Sequence, residues 1–190
     1  MTGPDEARRR VGPARRLWVP PVVGALVALA LGLLARHEAI APGAYPGSYL
    51  RLFFSDSLYF KAWFATAALV LGVLQPLSAA SIFDRLPWRK PRWIAGLHRW
   101  NGRLVFVLTL PVAYHCIFRI GFQDTTDRVL AHALLGCAFY GVFVAKVLLV
   151  RRRRTPVWAL VTAGGALFAV LLATWYTSAL YLFRTAGFHF

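Results

Sequence analysis

Five long apolar stretches separated by short polar connections constrain this chain more than any other feature. They fall near residues 18–35, 60–83, 103–119, 129–150 and 156–183. Each approaches or exceeds the ~20 residues that a helix needs to cross a hydrocarbon core of ~30 Å. Lipid offers no partner to an exposed N–H or C=O, so such segments close their hydrogen bonds internally, as helices. The expected fold is all-α: an integral membrane helical bundle of five transmembrane helices, one domain over residues 17–190. A disordered basic tail over residues 1–16 precedes it.

Composition supports this reading. Apolar and aromatic residues make up 58% of the chain and charged residues 15%, against about 45–50% and about 25% in soluble domains. A soluble enzyme, a disordered chain and a disulfide scaffold are excluded. The formal charge is +15, which on a soluble protein would suggest nucleic acid. Here the cations punctuate the apolar stretches, and no nucleic acid is expected. Of the 22 Lys and Arg residues, 16 lie in the N-terminal tail, the second connection and the fourth connection. Cytoplasmic loops collect Lys and Arg, so the expected topology is N-terminus in and C-terminus out, in the cell membrane. The first stretch also resembles a secretory signal ending at Ala39-Ile40-Ala41. Its length, and Pro42 after the small residues, favour a retained anchor.

The connections carry interfacial residues. Tyr49, Phe53, Phe54 and Tyr59 in the outer connection 37–59 suit headgroup depth, as do Trp88, Trp93 and Trp100 among the cations of the inner connection 84–102. Cys116 and Cys137 read as small buried hydrophobes. Cys137, Gly141 and Ala145, at four-residue spacing, read as a close helix contact, and so does Gly164-Gly165.

All seven acids lie outside the five stretches. Carboxylate-driven transport and acid–base hydrolysis are therefore not the expected chemistries of this chain. What remains within the membrane is histidine. His115 lies four residues before Arg119 in the third stretch, and His132 lies four residues after Arg128 in the fourth. The two stretches are antiparallel neighbours, so both imidazoles are expected about 6 Å inside the outer boundary. Two imidazoles at matching depth suit the two axial positions of a haem iron. Gly136, one turn from His132, leaves room for a flat macrocycle. Pro111 removes a backbone hydrogen bond and clashes with the Val107 carbonyl, which opens a gap between helices. Phe118, Phe139, Tyr140 and Phe143 are candidate lining rings. Arg119 and Arg128 are placed to pair with haem propionates.

His98 opens a second His-x-x-x-Gly pattern ending at Gly102, but no inner histidine is placed to partner it. It stands as a lone ligand, a polar cap, or part of a quinone or lipid pocket with Trp100 and Arg103. His37 and His189 lie near the outer surface, where a metal site with His115 or His132 is a lesser alternative.

The segments HRWNGRL (98–104) and HALLG (132–136) resemble the cytochrome b-five-sixty-one and ferric-reductase-like transmembrane superfamily. That resemblance implies b-type haem on His115 and His132, extending to His98. The run from His98 to Arg154 is also similar to an uncharacterised family of five-span membrane proteins from high-GC bacteria, which implies no activity. The expected function is b-type haem electron transfer near the outer leaflet, with a quinone or a redox protein as partner. The alternative is a cofactor-free accessory subunit of a membrane complex.

Overall fold

The computed structural model describes residues 17–41, 51–87, 89–152 and 154–190. The tail over residues 1–16, Pro42, Tyr49, Trp88 and Arg153 lie outside the described residues. Five helices are long and apolar enough to cross a membrane: α1 Val19–His37, α2 Ser57–Ile82, α3 Ile94–Ile120, α4 Asp127–Arg151 and α5 Val157–Ala186. The chain is an all-α protein with the helices of a multi-pass membrane protein.

Local sequence explains where they begin. Asp56 caps α2, its carboxylate accepting from the Leu58 N–H at 2.6 Å. Thr126 caps α4, its hydroxyl accepting from the Val129 N–H at 3.3 Å. Each cap satisfies a donor that the first turn leaves open. Asp127 adds negative charge at the same helix start, where the dipole favours it.

One boundary departs from expectation. Residues 94–102 were expected within the inner connection, yet α3 begins at Ile94. Arg99, Trp100 and Arg103 project outward from this first part of the helix, and the Arg103 guanidinium lies 4.7 Å from the Trp100 ring centre. Asn101 is buried and donates to the Leu71 carbonyl of α2 at 2.8 Å. The polar composition that resembles a loop is thus a helix face with a partner.

The helices gather at two ends. The "turn end" holds the C-terminus of α1, the start of α2, the α3–α4 turn and the chain terminus. The "basic end" holds the α2–α3 and α4–α5 connections. α1 packs on α4, α2 on both α3 and α5, and α4 on α5. The α1–α4 crossing is close: a Cβ built on Gly24 would lie 2.4 Å from the Gly141 carbonyl oxygen. Ala145 and Cys137 face α1 as well, next to Gly24 and Gly32. Gly164-Gly165 makes no such contact, contrary to expectation. Gly165 has open space beside it, and Gly164 faces only the end of the Lys146 side chain.

α3 and α4 are consecutive but stay apart over most of their length. Toward the basic end, rings bridge them. Phe106 stacks on Phe143 at 4.1 Å, and the Tyr140 hydroxyl donates to the Thr109 carbonyl at 3.0 Å. Toward the turn end the gap is open.

Candidate functional site

That gap is a cavity of about 450 Å³ among α2, α3, α4 and α5, with Ala35 of α1 and residues 120–123 on its wall at the turn end. Its volume lies within the range of small-molecule sites. Phe139 and Leu171 belong both to its wall and to the buried cluster with Ala68 and Val105.

α4 supplies one wall through Arg128, His132, Gly136 and Tyr140. Steps of four residues keep these positions on one helix face. A Cβ on Gly136 would meet nothing within 4 Å. His132 Nδ1 lies 3.4 Å from the Thr177 hydroxyl on α5, and the Cys116 thiol on α3 lies beside the same ring. Arg128 Nη1 donates to the Thr177 carbonyl at 2.7 Å, and its guanidinium carbon lies 3.7 Å from the Tyr181 ring centre.

Sequence reasoning placed His115 opposite His132, and the structure does not bring the two to one wall. α3 faces the cavity with Thr109, Val112, Ala113, Cys116 and Ile120. At about 100° per residue over the α-helical part, Thr109 to Cys116, His115 sits roughly 110° from the middle of that stripe. It is 1% exposed and lies within electrostatic reach of Lys61, Arg119 and Asp56, on the α2 side. Arg119 is not on the wall either. Among the expected rings, Phe139 and Tyr140 line the cavity and Phe118 does not.

His98 is remote, near the basic end. Its Nδ1 lies 2.8 Å from the Ser78 hydroxyl, and its carbonyl accepts from Gln75 Nε2 at 3.0 Å. A Cβ on Gly102 would lie 3.3 Å from the Gln75 side-chain oxygen. The two His-x-x-x-Gly patterns therefore differ. The space beside Gly102 is filled by a glutamine from α2, whereas the space beside Gly136 is open. Gly102→Leu is expected to lower the melting temperature of the detergent-solubilised protein by several degrees, through overpacking of about 1–3 kcal/mol. Gly165→Ala, which meets open space, serves as the neutral control in the same melt.

The outer histidines have other neighbours. His37 pairs with Glu38 at 3.1 Å, and His189 lies 3.0 Å from the Ala186 carbonyl oxygen. No group of three or more His, Cys, Asp or Glu side chains is placed to hold a metal among the described residues.

Several wall residues were missed. Lys61, one turn into α2, passes in sequence for an interfacial cation. Thr174 and Ser178 belong to a polar run in α5 whose i, i+4 spacing was readable. Two π-helical turns, Cys116–Ile120 in α3 and Tyr176–Leu180 in α5, supply further wall residues. Such turns often mark functional sites, and no sequence signal announced them.

No curated protein and no solved structure matches the chain. One family model does, over residues 17–190. The chain therefore belongs to the family of unknown function DUF6529.

Proposed function

We propose that this chain is a multi-pass protein of the cell membrane that holds b-type haem in the turn-end cavity and serves electron transfer. The observation that carries the reading is one wall of α4 presenting an imidazole, a glycine beside open space and an arginine to an apolar cavity. The donor set offers one imidazole rather than two, so His132, and not His115, would hold the iron. Haem would supply a one-electron couple there, tuned by its protein ligand and the local polarity. Cys116 and Thr177 would orient the His132 ring, Gly136 would give clearance, and Arg128 would pair with carboxylates of the group. Phe139 and Leu171 keep water from the floor. A quinone or a redox protein would exchange the electrons.

The proposed topology keeps the N-terminus in and the turn end outside, following the distribution of cations. The α1–α4 packing, together with the Arg36–Asp124 ion pair at 2.9 Å, supports a retained first span.

The test is a dithionite-reduced minus oxidised spectrum of protein purified from haem-supplied cells. An α-band is expected that His132→Ala removes, that Gly136→Leu reduces severalfold and that His115→Ala keeps. Absence of a band, or a His132→Ala variant matching the unaltered protein, defeats the reading. A cofactor-free accessory subunit is the second reading, favoured by the Thr177 and Cys116 contacts that already occupy His132. A stoichiometric membrane partner without a chromophore would support it.

A further inference from the structure

The cavity is electrostatically one-sided. Its wall carries Lys61 from the first turns of α2 and Arg128 from the first turn of α4, both at the turn end, and Gln123 of the α3–α4 turn. Among the described residues, no Asp or Glu belongs to the wall. The recorded partners of Arg128 are neutral: the Thr177 carbonyl and the Tyr181 ring. A guanidinium has five N–H donors and does not lose its proton in proteins. A fixed cation facing an apolar, membrane-embedded space is costly unless an anion or a ring of dipoles meets it. Toward the opposite end the wall carries Val112, Phe139 and Leu171, and the two hydroxyls there, of Tyr140 and Thr109, are 3.1 Å apart and bonded to each other.

We infer that the cavity is a binding site for an acid-headed amphiphile. The anionic head sits at the turn end against Arg128 and Lys61, and the apolar body lies on the floor between α3 and α4. This rests on the cavity being a ligand site, the first half of the reading above, and not on iron. Arg128 suits a carboxylate or phosphate because its planar fork matches two oxygens at once. Lys61 adds a point charge from a different helix, so the head is gripped from two sides of the bundle. Gln123 offers an amide to the same head, although its Nε2 already donates to the Ile40 and Ile120 carbonyls at 3.1 Å each.

The experiment uses the full chain in uncharged detergent, with metal-free protoporphyrin as probe. This probe is flat and apolar and carries two carboxylates; its dimethyl ester has the same body without the charges. Quenching of tryptophan fluorescence reads binding, because Trp175 lies on the cavity wall. The diacid is expected to bind at least tenfold more tightly than the diester. Arg128→Gln and Lys61→Met are each expected to shrink that preference severalfold, by weakening diacid binding more than diester binding. Equal binding of diacid and diester to the unaltered protein overturns the inference, and this comparison needs no variant to fold. Full preference retained by both folded variants also overturns it.

Competition identifies the natural source. Displacement by phosphatidylglycerol points to a lipid phosphate, and displacement by a long-chain fatty acid alone points to carboxylates. Either result supports the acid site. His132→Ala separates this inference from the haem reading, because it removes an iron ligand and keeps Arg128 and Lys61, so the preference for diacid over diester is expected to remain. Loss of the α-band with the diacid preference intact sinks only the haem reading; an intact α-band without the preference sinks only the acid site.

Discussion

Gly141→Leu is expected to detach α1 from the rest of the bundle. At the crossing, a Cβ on Gly141 would lie 2.5 Å from the Gly24 carbonyl oxygen and 2.9 Å from the Ala28 methyl. The first obstacle is backbone, which has no rotamer to change. Leucine therefore forces the helices apart along the whole contact, because the fit also involves Ala145 and Cys137. In water, a loosened helix still gains by staying against the core. In lipid the surrounding tails are as apolar as leucine, so helix association rests on close packing and the dispersion it brings. The loss is expected to reach the upper part of the ~1–3 kcal/mol typical of overpacked sites. Two measurements check it. The melting temperature of the solubilised protein should fall by several degrees. A cysteine introduced as Gly32→Cys should also cross-link to Cys137 in the otherwise unaltered chain, because its Cβ would lie 3.9 Å from that sulfur. The same cross-link should be largely lost when Gly141→Leu is present. Unchanged cross-linking and melting would mean that this contact does not hold α1.

The number of spans was legible because hydropathy accumulates over some twenty residues and tolerates local exceptions. The start of α3 was not. Arg99, Trp100 and Arg103 mimic a loop, and the pattern becomes helical once the Asn101 bond to α2 is known. At the site, Arg128, His132 and Gly136 were readable because four-residue steps keep one face whatever the rotation of the helix. The position of His115 depended on the rotation of α3 itself. That rotation is set by how Val105 and Asn101 pack toward α2 and by a π turn that follows the histidine directly. Sequence spacing speaks to depth along the helix, and it does not speak to azimuth. The two His-x-x-x-Gly patterns make the same point. Their spacing is identical, yet only a side chain from another helix, Gln75, distinguishes the filled pocket at Gly102 from the open one at Gly136.

Gly121→Val is expected to open the turn end of the cavity and to destabilise the protein more than any other single change on its wall. Gly121 has φ +74° and ψ −170°, a region that is essentially closed to residues with a side chain and costs them about 1–3 kcal/mol. The space is closed too. A Cβ there would lie 2.3 Å from Ala39 Cα and 2.7 Å from the Ala35 carbonyl oxygen. That carbonyl accepts from the Phe122 N–H at 2.7 Å, and the Ile40 N–H donates to the Ile120 carbonyl at 3.1 Å. The end of α1 and the α3–α4 turn are therefore strapped together by backbone bonds, and Gly121 is the position where they cross. A side chain strains the turn and breaks the strap at once, so the two costs add to about 2–6 kcal/mol. Ala35 and residues 120–123 all lie on the cavity wall, so the break would reach the site. In the proposed topology, Cys116, one turn below, would become accessible from outside. Labelling by a membrane-impermeant maleimide on intact cells should rise severalfold in Gly121→Val, relative to the unaltered protein and to Gly165→Ala. The melting temperature should fall by several degrees in Gly121→Val alone. Equal labelling in all three proteins would show that the strap does not close the cavity. Labelling that rises in Gly165→Ala as well would assign the effect to general loosening of the bundle.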